Sequence, residues 1–289
     1  MKEKDLVKKL AKKSFKKKLK KAKDDLSLFN NRYYIEEELG KGGLSTVYNS
    51  SDIYCDYFNE ESNIAIKIPN KELLKKDDIA AFVYAEYSFL KKLNHKNIVK
   101  VLDFGIDKKS NIPYIVLEKL QGNILADLNI TQMSIRFKNM LFKDLLSSLE
   151  YIHLNSIIHA DITPLNIMVS ENNVITLFDF GISQDINKNK DFTLEYKKVK
   201  AFNPKYCAPE VLEGEKPTIK SDIFSFACLM YEIYSCKSLF EENSLELKNK
   251  AINSYDFSQI PMLLRSWFKD SLSLNPKKRI YKNTFLRLI

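Results

Sequence analysis

Gly40-Lys41-Gly42-Gly43-Leu44-Ser45-Thr46-Val47 lies between two expected strands. Glycines at such a turn let the backbone reach positive φ and come close to a phosphate. A strand, not a helix, follows, so this is not a dinucleotide-binding turn, and a tight hairpin would explain it equally well. Twenty residues past Val47, Ile64-Ala65-Ile66-Lys67 places a lysine inside an apolar strand. A buried ammonium is costly without a charged partner, and Glu86 on the next helix can supply one. In mid-chain, His159-Ala160-Asp161-Ile162-Thr163-Pro164-Leu165-Asn166 is followed by Asp179-Phe180-Gly181, 18 residues after Asp161. Ala208-Pro209-Glu210 comes after a further 27 residues, and then Ser221-Asp222 at the head of an apolar helix.

The elements that must position these residues change character along the chain. Tyr33–Leu39, Ser45–Ile53, Ile64–Pro69, Val99–Phe104 and Tyr114–Glu118 read as strands, and Ile79–Leu93 has apolar residues at helical spacing. After residue 120 the pattern is helical: Phe137, Met140, Leu141, Leu145, Leu149 and Ile152 form one stripe, and Ile223–Tyr234 is apolar nearly all round. The expected fold is α+β and bilobal, with a five-stranded antiparallel sheet and one main helix, then a larger, mainly helical lobe. A cleft between two such lobes is the expected place for a ligand.

Taken in order, these motifs resemble the eukaryotic-like protein kinase family, serine/threonine type, from about Arg32 to Arg279. The resemblance implies a tail at 1–30 and a kinase domain at 31–289. Within that domain it implies an N-lobe over about 31–118, a hinge at 118–122 and a C-lobe at 123–289. It implies ATP and Mg2+. Gly40, Gly42 and Ser45 align with the lid over the phosphates, with Ser in place of the third glycine. Lys67 matches the lysine that holds the α- and β-phosphates, oriented by Glu86. Val47, Ala65 and Met168 would sandwich adenine, and the backbone at Glu118 and Leu120, just past Leu117, would meet its edge. Asp179 and Asn166 match the metal ligands. Asp161 matches the residue that accepts the proton or hydrogen bond of the attacking hydroxyl. The transferring phosphoryl group is highly charged, so such a site works by positioning and by cations set against oxygen. With an ordinary pKa near 3.9, Asp161 would be ionised at neutral pH. His159 reads as a packed core histidine, Glu210 with Arg279 as the family's buried ion pair, and Asp222 as the anchor of the catalytic loop.

The pattern is also broken in places. Ala160 replaces the Arg that usually precedes the catalytic Asp (a non-RD variant), so a phosphorylated Thr193 or Tyr196 would lack its usual reader. Thr163 stands where serine/threonine kinases carry Lys, and Asn203 where the substrate-facing loop carries Thr. These two positions normally touch, so a neutral Thr163–Asn203 contact is expected, with Lys205 a nearby substitute cation. Leu165 excludes the arginine pattern of tyrosine kinases.

Two other readings compete with the protein kinase. Small-molecule phosphotransferases of the aminoglycoside or choline kinase type share the His-x-Asp-x-x-x-x-Asn loop and a later Asp. They would not carry Ala208-Pro209-Glu210, Asp222 and Arg279 together. A weakly active kinase-fold scaffold recruited by its basic tail is the third reading.

The formal net charge of +9 belongs to that tail: residues 1–23 hold 12 Lys against Glu3 and Asp5, and the other 266 residues sum to −1. Leu6, Val7, Leu10, Ala11, Phe15, Leu19 and Ala22 recur at helical steps, which predicts a basic amphipathic helix. Acidic protein, anionic membrane and nucleic acid are its candidate contacts, and a solvated helix leaning on the domain is the plainer alternative. No run approaches the roughly 18 apolar residues of a membrane-spanning helix, and no apolar core follows the charged start as a secretory signal would require. Cys55, Cys207, Cys228 and Cys236 show no paired spacing and suit a reduced compartment. The cytoplasm is therefore expected, with delivery into a host cell the variant for a bacterial effector. Substrate, activating signal and oligomeric state leave no sequence signature.

Overall fold

The computed structural model describes residues 28–187, 203–248 and 252–281. The expected tail helix lies mostly outside these residues, as do Thr193 and Tyr196. The chain divides into two compact units: Met1–Tyr87 with Lys100–Lys119, and Ser88–Val99 with Leu120–Ile289.

The first unit is built on an antiparallel sheet of β1 (Leu28–Phe29), β2 (Tyr33–Lys41), β3 (Ser45–Asp52), β4 (Ile64–Pro69), β5 (Val101–Ile106) and β6 (Pro113–Glu118). Its order is β1-β2-β3-β4-β6-β5. Between β3 and β4 runs a short helix, α1 (Ile53–Phe58), and between β4 and β5 the longer α2 (Ile79–Lys92), within which the division into units falls. Alternation along the strands sends Tyr33, Ile64, Ile66, Tyr114 and Val116 into one buried cluster, with Phe29, Ile35 and Ile68 packed on it.

Six strands stand where five were expected. The extra one, β1, is too short for alternation to reveal it. It exists because Asn30 and Asn31 both adopt left-handed backbone and fold Leu28 and Phe29 back onto Tyr34 and Tyr33. The Asn30 N–H donates to Asp107 (2.6 Å) and its amide to the Tyr114 hydroxyl (2.7 Å), which pins the turn. The expected strand Ser45–Ile53 stops at Asp52, whose carboxylate accepts the Tyr54 N–H (2.9 Å) and starts α1; Asn59, left-handed at φ 54, ends it.

The second unit holds β7 (Asn123–Ile124), α3 (Ile135–Leu154), β8 (Ile157–Ile158), β9 (Ile167–Val169), β10 (Ile175–Leu177), β11 (Gln184–Asp185), α4 (Pro209–Leu212), α5 (Ile219–Ser235) and α6 (Met262–Ser271). Leu141, Leu145, Leu149 and Ile152 of the predicted stripe on α3 are buried, and α5 is buried on nearly every side. Ser134 caps α3, and Thr218 with Ser221 forms a reciprocal capping box on α5. Phe142 meets Phe226 (5.1 Å) and Trp267 (5.4 Å, edge-on) at the centre. Ser88–Val99 belongs to this unit because the Val99 N–H donates to the Leu177 carbonyl (3.0 Å) and the Asn97 side chain to that of Ile175 (2.7 Å). No described helix is long and apolar enough to cross a membrane.

Gly122 is a glycine that the fold itself demands. Its φ of 133° suits glycine alone, and a Cβ there would sit 2.2 Å from the Val169 carbonyl oxygen. That close approach lets β7 pair with β9, the strand carrying Met168. Gly122→Ala is expected to cost about 2–3 kcal/mol and lower the melting temperature by about 5–10 °C. A scan within about 2 °C of wild type would contradict the packing argument.

Candidate active site

In the first unit, the turn between β2 and β3 carries Gly40, Gly42 and Ser45. Gly40 pairs with Val47 across the strands, and the Gly42 N–H donates to the Ser45 carbonyl (2.8 Å). None of the three glycines from Gly40 to Gly43 uses left-handed backbone, which corrects the positive-φ expectation. A side chain at Gly40 or Gly43 would also meet nothing within 4 Å. Packing among the described residues therefore does not demand glycine at either position. Asn70, which sequence reasoning passed over, ties the turn down. Its N–H donates to the Leu44 carbonyl (2.9 Å) and its amide to the Gly42 carbonyl (2.9 Å), and its side-chain oxygen accepts from Thr46 (2.9 Å). Its only sequence signal is its place directly after the β4 proline.

Lys67 on β4 and Glu86 on α2 are both buried, and the ammonium meets the carboxylate at 2.5 Å. Val47 lies opposite Lys67 in the β3–β4 register, and Ala65, buried, lies between Asn49 and Leu117. Glu118 closes β6. Its N–H donates to the Lys100 carbonyl (3.0 Å) and its carboxylate accepts the Lys100 N–H (2.8 Å).

In the second unit, Asp161 and Asn166 are joined by a short 3-10 turn at Pro164–Asn166. The Asn166 amide donates to the Asp161 carboxylate (2.7 Å) and to its carbonyl (2.9 Å), and the Asn203 backbone N–H also donates to the carboxylate. Burial pushes the Asp161 carboxyl up, the charge of Asp179 pushes it further, and these two hydrogen bonds only partly oppose them, leaving a pKa of about 7. This corrects the expectation of an ordinary, fully ionised aspartate: in the free chain both protonation forms are present at neutral pH. Asp179 itself is left-handed (φ 63) and accepts the Gly181 N–H (3.2 Å). Met168 is half-buried on β9, and Leu120 is half-buried at the start of the unit's main segment.

The loop leading to Asp161 is held from behind. Asp222 accepts the N–H groups of His159 (2.8 Å) and Ala160 (2.9 Å) and bonds His153 Nε2 (2.8 Å), whose other ring nitrogen bonds the Tyr281 hydroxyl (2.6 Å). His159 is fully buried, packs edge-on to Phe180 (4.6 Å) and accepts the Asp161 N–H on Nδ1 (3.3 Å). Burial lowers its pKa, so it is neutral core. Arg279 and Glu210 form a two-pronged pair (2.5 and 2.9 Å). Where a neutral Thr163–Asn203 contact was expected, Thr163 is buried and the Asn203 side chain accepts the Lys205 N–H (3.1 Å).

An antiparallel sheet with a buried lysine–glutamate pair, and a helical unit whose aspartate-bearing loop hangs from a buried carboxylate, are the two parts of a bilobal kinase fold. The chain belongs to the protein kinase family: the family description "Protein kinase domain" matches residues 33–286. It is 29% identical over 266 residues to a probable serine/threonine-protein kinase of Clostridium acetobutylicum, covering 89% of this chain and 39% of that one. It is 31% identical over 208 residues to serine/threonine-protein kinase PknB of Mycolicibacterium smegmatis (71% and 32%). To a probable PknB of Bifidobacterium longum it is 29% identical over 227 residues (75% and 32%). The chain thus spans about a third to two fifths of the length of these relatives.

Proposed function

We propose that this chain transfers the γ-phosphoryl group of ATP to serine or threonine hydroxyls of proteins, including its own. The observation that carries the reading is the Asp161 carboxylate, held by the Asn166 amide and the Asn203 N–H beside the charge of Asp179. A carboxylate so aimed can take the hydrogen bond of an incoming hydroxyl and set its oxygen toward phosphorus. The relatives' names, serine/threonine-protein kinases, and Leu165 support the acceptor class.

In this reading the glycine turn lets backbone N–H groups approach phosphate oxygens. Lys67, oriented by Glu86, holds the α- and β-phosphates as a fixed cation. By the family resemblance, Val47, Ala65 and Met168 would meet the adenine ring, and the backbone of Glu118 and Leu120 its edge. The donor set, the Asn166 amide oxygen and the Asp179 carboxylate, consists of hard oxygen ligands and suits magnesium. Asn166 and Asp179 would share it with phosphate oxygens, the arrangement this ion prefers. A divalent cation held there supplies charge neutralisation on the phosphates.

Lys67→Met is expected to lower kcat/KM by about 10²-fold or more, since a fixed charge against developing phosphate charge is lost. Glu86→Gln, which keeps the shape and loosens the ammonium, is expected to cost about tenfold. Steady-state kinetics with a protein acceptor measures both. The function itself is tested by transfer from radiolabelled ATP, comparing wild type with Asp161→Asn and mapping labelled residues by mass spectrometry. Label found only on a small-molecule acceptor, or equal labelling by the two proteins, would refute it.

A further inference from the structure

The part of the first unit beside which the tail enters is acidic and aromatic. Between Lys41 and Lys67 there is no basic residue, while Asp52, Asp56, Glu60 and Glu61 lie there. Asp56, Glu60 and Glu61 are exposed on and just after α1, and Tyr54 and Phe58 leave 46% and 65% of their surface open. Large aromatic area at that exposure, with carboxylates on the same short helix and the turn after it, fits a cationic amphipathic occupant: ammonium groups pair with the acids while alkyl stems and apolar side chains lie on the rings. The Arg32 guanidinium already sits 5.0 Å over the Tyr54 ring, so this face accepts cations.

The occupant is the chain's own start. Residues 1–27 carry 12 Lys against Glu3, Asp5, Asp24 and Asp25, a net +8, whereas residues 28–87 and 100–119 carry ten basic and fourteen acidic side chains, a net −4. The first described residue, Leu28, packs on Ile53, the buried first residue of α1, so the described chain begins beside this helix. We infer that residues 1–27 dock in cis on the exposed surface of α1 and the turn after it, with Tyr54 and Phe58, one helical turn apart, as the apolar contact and Asp56, Glu60 and Glu61 as flanking acids. Individually weak surface ion pairs suffice here, because the covalent link holds the tail at high effective concentration.

The test uses the full chain. A carbodiimide that couples lysine amines directly to carboxylates should join tail lysines to Asp56, Glu60 or Glu61 within one molecule, read by mass spectrometry of the monomer band. Trypsin cleavage after the tail lysines should be about fivefold faster in D56N/E60Q/E61Q than in wild type at low salt. The difference should vanish near 0.5 M NaCl, where screening is short-ranged. Phe58→Ser, at an exposed position and so harmless to folding, should also speed cleavage, which tests the apolar half separately. Equal cleavage rates in wild type and both variants would overturn the inference. So would coupling of the tail to carboxylates elsewhere in the chain, or coupling only between two molecules.

Discussion

Asp161→Asn is expected to lower kcat for protein phosphorylation by about 10³-fold while changing the KM for ATP by no more than about twofold. The substitution keeps the size of the side chain and leaves its carbonyl oxygen to accept from Asn166 and Asn203, so the loop geometry should survive. What it removes is the negative oxygen proposed to orient the acceptor hydroxyl. It also removes a buried carboxylate that the charge of Asp179 opposes, so the melting temperature should hold or rise. A loss of activity accompanied by a falling melting temperature would point to collapse of the loop. A loss of less than about tenfold would remove Asp161 from the chemistry.

The largest effect on stability is expected at Asp222. Its carboxylate is almost fully buried and takes the His159 and Ala160 N–H groups together with His153. Ala160 is held there in left-handed backbone (φ 68), a conformation that costs an alanine energy and persists only while its neighbours enforce it. Asp222→Ala leaves two buried N–H groups and a histidine without their shared acceptor. It should therefore cost about 3–5 kcal/mol and lower the melting temperature by about 10 °C or more. Whatever folds should also transfer phosphate poorly, since Asp161 directly follows Ala160. Thermal unfolding followed by circular dichroism measures the first effect, and kinetics on the folded fraction the second. A shift smaller than about 3 °C would mean that the loop is held by something other than this carboxylate.

Much of this was legible along the chain because it is local or charge-coded. The five long strands, α2, α3 and α5 follow from alternation and helical spacing, and the ion pairs Lys67–Glu86 and Glu210–Arg279 form between charges that would be untenable alone in those apolar settings. The β1 hairpin and α1 escaped notice for a shared reason. Two-residue and six-residue elements are too short for a period to emerge, and they rest on backbone conformations at Asn30, Asn31 and Asn59. Asn70 escaped because an asparagine after a proline reads as an ordinary turn, while its role comes from three partners 24 to 28 residues earlier in the chain.

Sequence alone determined the family, the order of the motifs and which side chains carry charge, because these are properties of residue identity and spacing. Tertiary structure alone decided that Asp161 sits near pKa 7 and that Asn203 serves it through its backbone N–H. It also decided that glycine at 122, and not at 40 or 43, is demanded by the chain's own packing. A desolvation penalty, a hydrogen-bond partner and a steric clash are each set by the atoms within a few ångströms, and those atoms come from segments distant in sequence.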